Sequence, residues 1–240
     1  MRFAILVLLL LSTPAFCKTP DTVAWKEWVP VGWQIIHSAT GDLNQDGKSD
    51  AVLVLEEDNP ANRKSNDGLG DSVLNLNPRR LVILFQTASG YQKVVSADRF
   101  LPSQNDAGSP CLSDPLYGGG IHVNRGLLKI ELHYWLSCGS WSDTTRTFSF
   151  RYENNRFRLI GLDVSEFMRN SCEQSEYSIN YLTGKQKITT GLKGCEAESK
   201  PEKESKPKIT WKKIPSNRIF YLDKMTSDCN PDSKEDNWCE

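Results

Sequence analysis

The sequence is poor in the residues that acid–base chemistry draws on most: His37, His122 and His133 are its only histidines among 240 residues. Neither a G-x-S-x-G nor an H-E-x-x-H pattern occurs, and the glycine run 118–120 leads into strand-like sequence, where no helix N-terminus is available to cradle a phosphate. An excess of either charge is missing as well. Lys and Arg number 29 against 30 Asp and Glu, and no Lys/Arg stripe interleaved with aromatics runs along the chain, so nucleic acid is not an expected partner. No apolar run reaches the roughly 20 residues that span a bilayer as a helix, so no membrane span is expected. Helical periodicity is nearly absent too; the one candidate is "DVSEFMRN" at 163–170, where Ser165 would cap one or two turns.

What is present begins with a leader. "MRFAILVLLLLSTPAFC" has Arg2, an apolar stretch from Phe3 to Leu11 and then small residues, the three-part pattern of a signal peptide over 1–17. Cleavage after Ala15 and cleavage after Cys17 both satisfy the pattern, and the bulky Phe16 argues against acylation of Cys17. Six cysteines remain, none in a C-x-x-C pair, and an even set in an exported chain reads as disulfides. Of the fifteen pairings, neighbours in sequence are favoured: Cys111 with Cys138, Cys172 with Cys195, and Cys229 with Cys239. The expected compartment is the periplasm or the extracellular space.

Residues 18–240 read as a single β-rich domain, with a charged loop near 196–208 and a polar C-terminal tail. Strand-like segments fall into three runs of about four, which implies an all-β fold of antiparallel meanders, either propeller-blade-like or a sandwich. Apolar residues Leu128, Ile130, Leu132, Tyr134 and Leu136 alternate with Lys129, Glu131, His133 and Trp135, and turns are expected at Asn124–Gly126, Asn154–Asn155, Ser89–Gly90 and Thr183–Gly184. "KITWKKI" and "RIFYLDKM" add two late strands. Trp25, Trp28 and Trp33 are expected to pack on the core. The polar stretch 57–78 is long for a connection without structure of its own, and such loops carry function or motion.

One stretch carries chemistry. In "GDLNQDGKSDAVLVLEE", Asp42, Asn44 and Asp46 stand at every second position, Gly47 permits a sharp bend, the Lys48 carbonyl falls at position seven and Asp50 at position nine. Converging hard oxygens at that spacing suit calcium, and no His or Cys lies in the loop to favour zinc. An EF-hand needs glutamate at position twelve, where Leu53 stands, and the flanks are strand-like. "DLNQDGKSD" instead resembles the D-x-[DN]-x-D-G-x-x-D loop of FG-GAP and VCBS-type repeats, the integrin-type loop that joins two β-strands around calcium. The resemblance covers about residues 33–57, one repeat, with no second copy along the chain. A looser similarity to a group of exported bacterial proteins runs through "RRLVILF", "FSFRYENNRFRLIGL" and "NYLTGK". It implies compartment and fold type, while Ca2+ as cofactor is what the FG-GAP-like loop implies.

The expected function is therefore a secreted or periplasmic, calcium-stabilised binding or protein-interaction module, one concrete form being an antagonist of a toxin or wall-degrading enzyme. Its partner would be a protein or glycan of the cell envelope, with Tyr117 and Trp141 as aromatic anchors. His122 and His133 are expected on a solvated strand face. The alternative is a secreted hydrolase of glycans or peptides, using carboxylates such as Glu56, Glu57, Asp114, Glu131 and Asp143.

Overall fold

The computed structural model describes residues 22–117, 120–195, 206–215 and 218–227. After a 3-10 helix at Thr22–Trp28 come β1 (Trp33–Gly41), β2 (Asp50–Glu57), a short 3-10 turn (Pro60–Asn62), β3 (Arg63–Ser65), β4 (Val73–Asn75), β5 (Arg79–Thr87) and β6 (Gly90–Ala97). They are followed by β7 (Gly120–Asn124), β8 (Leu127–Trp135), β9 (Ser142–Glu153), β10 (Arg156–Met168), β11 (Glu173–Asn180), β12 (Lys185–Lys193) and β13 (Lys208–Lys213). The fold is all-β and every pairing is antiparallel, in a four-stranded sheet β1-β2-β5-β6, a seven-stranded sheet β13-β12-β11-β10-β9-β8-β7, and the small hairpin β3-β4.

The two large sheets pack face to face, which decides between the two expected architectures in favour of a sandwich. Val52, Val54, Leu81 and Ile83 of the smaller sheet share one core with Leu128, Ile130, Leu132, Phe148, Phe150, Leu159 and Leu162 of the larger. Phe100, from the connection after β6, stands edge-on to Phe148 and Phe150 inside it. The unbroken apolar run of β2 follows from burial on both faces, a pattern that alternation cannot serve. Ala51, Leu53 and Leu55, with Val82 and Leu84, face away from the sandwich and are roofed by Trp25, Trp28, Val29 and Trp33. The tryptophans thus pack as expected, Trp25 meeting Tyr91 edge-on at 6.3 Å.

The hairpin turns obey their sequences. Arg125 and Gly126 close β7 onto β8 with φ of 50° and 74°, and Asn154 and Asn155 close β9 onto β10 with 51° and 61°. Both are two-residue loops with both residues at positive φ, the twist that antiparallel strands favour. Disulfides form between Cys111 and Cys138 and between Cys172 and Cys195, as the neighbour rule anticipates. Cys229 and Cys239, the leader 1–17, most of the charged loop and nearly all of the tail lie outside the described residues.

Three expectations are corrected. Residues 163–168 are strand, not helix: the second half of β10 is paired on one side by β9 and on the other by β11, and Val164 is buried between them. Two ladders of backbone bonds outweigh one capping serine. "RIFYLDKM" makes only an isolated bridge, Arg158 to Tyr221. It still buries Phe220, Leu222 and Met225, and lies against the first residues of β10, before β11 takes over at Gly161. The stretch 57–78 holds a 3-10 turn and the β3-β4 hairpin instead of running free. Among the described residues no helix is long and apolar enough to cross a membrane.

The roof yields a test. Trp25 is 1% exposed, and its indole N–H has no partner among the described residues. Trp25→Ala should lose about 3–5 kcal/mol in urea unfolding. Trp25→Phe, which keeps most of the volume and removes the unpaired donor, should lose less than about 1.5 kcal/mol. Equal midpoints for the parent and Trp25→Ala would contradict the roof.

Candidate functional site

The 42–50 loop joins the end of β1 to the start of β2, and its turns are built by the side chains singled out in sequence. Asp42 accepts from the backbone N–H of Asp46 (3.1 Å) and of Gly47 (2.9 Å), and Asn44 Oδ1 accepts from the same Asp46 N–H (3.0 Å). Asp42 and Asn44 oxygens therefore meet inside the turn. Gly47 takes φ 83° with open space where a Cβ would stand, so conformation and not crowding requires glycine there. Gln45 shares the left-handed region, at φ 63°. Leu43 plugs the loop into the core at 1% exposure.

Asp50 is the anchor. Fully buried, it accepts from the N–H of Leu43 (2.8 Å) and Asn44 (3.4 Å) through one oxygen and from Gln86 N–H (3.0 Å) through the other, tying the loop to the end of β5. Burial pushes its carboxyl above the usual range, while the amide hydrogen bonds pull it back. Asp46 turns outward: the backbone N–H and the ammonium of Lys48 hold it below the usual range, with Nζ 3.1 Å from Oδ2. The donor set Asp42, Asn44, Asp46, the Lys48 carbonyl and Asp50 is all hard oxygen, and fits calcium in kind. Among the described residues no three His, Cys, Asp or Glu side chains are grouped to hold a metal, and each loop carboxylate accepts from amides or from Lys48.

A second constellation, missed in the sequence, lies at the end of β2 away from this loop, where Glu56 pairs across to Arg79 of β5. A cavity of about 290 Å³ is lined by His37, Glu56, Arg79, Gln104, Asp114 and Tyr117, among others. Arg79 is 3% exposed; its Nε donates to Glu56 Oε2 at 2.9 Å, and Nη1 and Nη2 donate to the two oxygens of Asp114 at 2.6 and 2.7 Å. Burial alone would lower the guanidinium, but the two carboxylates outweigh it and hold it above its ordinary value. Asn75 then donates to Glu56 Oε1 and to Gln104 Oε1, both at 3.0 Å, and Asn77 donates to Asn75 at 2.7 Å. Three of the five guanidinium N–H donors are thus engaged by the two carboxylates. His37 reaches the cavity through a β-bulge at Ile36, its Nε2 3.0 Å from where a Cβ on Gly120 would sit.

The anchors expected from sequence are exposed, Tyr117 at 83% and Trp141 at 58%. Tyr117 lines the cavity, whereas Trp141 lies past the disulfide in the turn before β9, its carbonyl accepting from Arg169 N–H at 2.8 Å. Residues 111–117 run beside β8 through Ser137 N–H to Cys111 O (2.8 Å), Ser113 N–H to Trp135 O (3.0 Å) and His133 N–H to Pro115 O (2.8 Å). His122 is exposed as expected. His133 is not merely solvated: its Nε2 stands 2.7 Å from Asp143 Oδ1, a diagonal pair across β8 and β9. Of the other carboxylates, Glu56 and Asp114 come together on Arg79 and Glu131 accepts from Thr147. Comparison with protein-family models, curated proteins and solved structures finds no match to this chain.

The loop predicts a calcium effect on stability. With calcium at ten times its Kd, the parent should gain about 1.4 kcal/mol by binding linkage, raising the thermal midpoint by roughly 3–6 °C. In Asp46→Ala the gain should fall below about 1 °C. The same midpoint for the parent in chelator and in 10 mM calcium would show the segment to be a turn alone.

Proposed function

We propose that this chain is a calcium-stabilised protein-interaction module of the cell envelope, working in the periplasm or outside the cell once residues 1–17 are removed. Its most concrete form is an antagonist of a toxin or wall-degrading enzyme. The observation that carries the reading is Tyr117: a large aromatic, 83% exposed, on a segment fixed by the Cys111–Cys138 disulfide and by the Asp114–Arg79 pair. A rigid, pre-exposed aromatic contributes contact area with little ordering cost, as interface anchors do. Two disulfides fit an oxidising, exported compartment. The hydrolase alternative would draw on Glu56 and Asp114, yet both spend oxygens on one guanidinium, which favours binding over proton transfer.

The test is capture from envelope extract by immobilised mature protein, beside the Tyr117→Ala variant checked for an unchanged melting midpoint. One stoichiometric partner, held at least tenfold more weakly by the variant, is the expected result. Equal capture by both proteins, or turnover of a glycan or peptide panel by the parent, would overturn it.

A further inference from the structure

The last two strands of the seven-stranded sheet concentrate a charge that the chain as a whole lacks. β12 carries Lys185, Lys187 and Lys193, β13 carries Lys208, Lys212 and Lys213, and neither strand has an acidic residue, although the protein's net charge is −1. The ladder sets Lys185 opposite Lys213 and Lys187 opposite Trp211, so a basic patch with an aromatic at its centre is assembled from residues that are not neighbours in sequence. None of these lysines enters an ion pair among the described residues.

Among the described residues β13 is also an open edge. It ends the strand order, all six of its residues are exposed, and the opposite edge strand, β7, lies against β1, with Gly41 making room for Val123. Lysines on an edge ordinarily discourage pairing with another chain. Here they flank Ile209, 54% exposed, and Trp211, 64% exposed, which share one face of the strand with Lys213 while Lys208, Thr210 and Lys212 take the other. A strand designed only to stay unpaired has no reason to present these two. An exposed edge offers alternating N–H and C=O groups that another extended peptide backbone satisfies, and the lysines select the sign of its side chains.

We propose that β13 docks an extended acidic segment of a partner protein, added as a further strand to the seven-stranded sheet. Apolar side chains of the segment cover Ile209 and Trp211, and carboxylates alternate onto Lys208 and Lys212. The inference rests on the interaction reading above and names the chemistry of a partner.

The probe is a capped eight-residue peptide alternating Glu and Val, titrated to millimolar concentration into the full mature chain at low salt, with amide exchange as the readout. Amides of β13 should exchange at least tenfold more slowly with peptide. The exposed-site variants Trp211→Ser and Lys212→Glu should each bind about tenfold more weakly. The same peptide N-methylated at alternate residues, which cannot complete the ladder, should give no protection. Unchanged exchange of β13 at saturating peptide overturns the proposal. So does equal protection by the N-methylated peptide or by dextran sulfate, which would make the edge a plain polyanion patch. Capture through Tyr117 is measured separately, so a failed peptide titration with successful capture removes the edge alone.

Discussion

A buried guanidinium is the constraint on which the rest depends. Taking one charge out of water costs several kcal/mol, and it is tolerated only with partners in good geometry. Arg79, 3% exposed, has Glu56 and Asp114, and neither arrives by chance. Glu56 is its direct cross-strand neighbour, so the pair fixes the register of β2 on β5. Asp114 must come from the long connection after β6, which folds back along β8 and is tied there at Cys111, Ser113 and Pro115. Tyr117 stands where that folding leaves it.

β2 then links the two sites. Its first residue, Asp50, and its seventh, Glu56, are both buried acids, with the apolar run 51–55 between them. Asp50 closes the oxygen-rich loop and reaches Gln86 at the far end of β5; Glu56 holds Arg79 at its near end. The strand is roofed on one face and packed on the large sheet on the other, so a shift of one residue would bury polar groups without partners at both ends. Loop, cavity and core are therefore set by one register.

Much of this was legible in the sequence where the signal is local. Alternation in 127–135 and the Asn154–Asn155 turn report themselves through period and φ preference. So do the apolar run of β2 and the acid-glycine spacing of the loop, and the neighbour disulfides followed from an even count. What stayed hidden depends on partners distant in the chain. Arg79 sits beside Arg80 in "RRLVILF", and nothing local says that one is buried while the other lies over Trp33 and beside Asp98. The asparagines at 75, 77 and 105 look like loop composition until they are seen hydrogen-bonded around Glu56 and Gln104. Ser165 reads as a cap, yet two flanking strands claim its backbone, and the lysine patch exists only once β12 and β13 pair.

The account stands most directly on the Arg79–Asp114 coupling, which a double-mutant cycle of Arg79→Met and Asp114→Asn measures in urea unfolding. Asp114 retains 23% exposure in its side chain, so screening reduces the pair below the fully buried limit. A coupling of about 1.5–3 kcal/mol is predicted, with hydrogen exchange across 111–117 accelerating in each single variant. Additive effects within about 0.5 kcal/mol, with exchange in that segment unchanged, would contradict the claim that the buried charge positions the exposed aromatic.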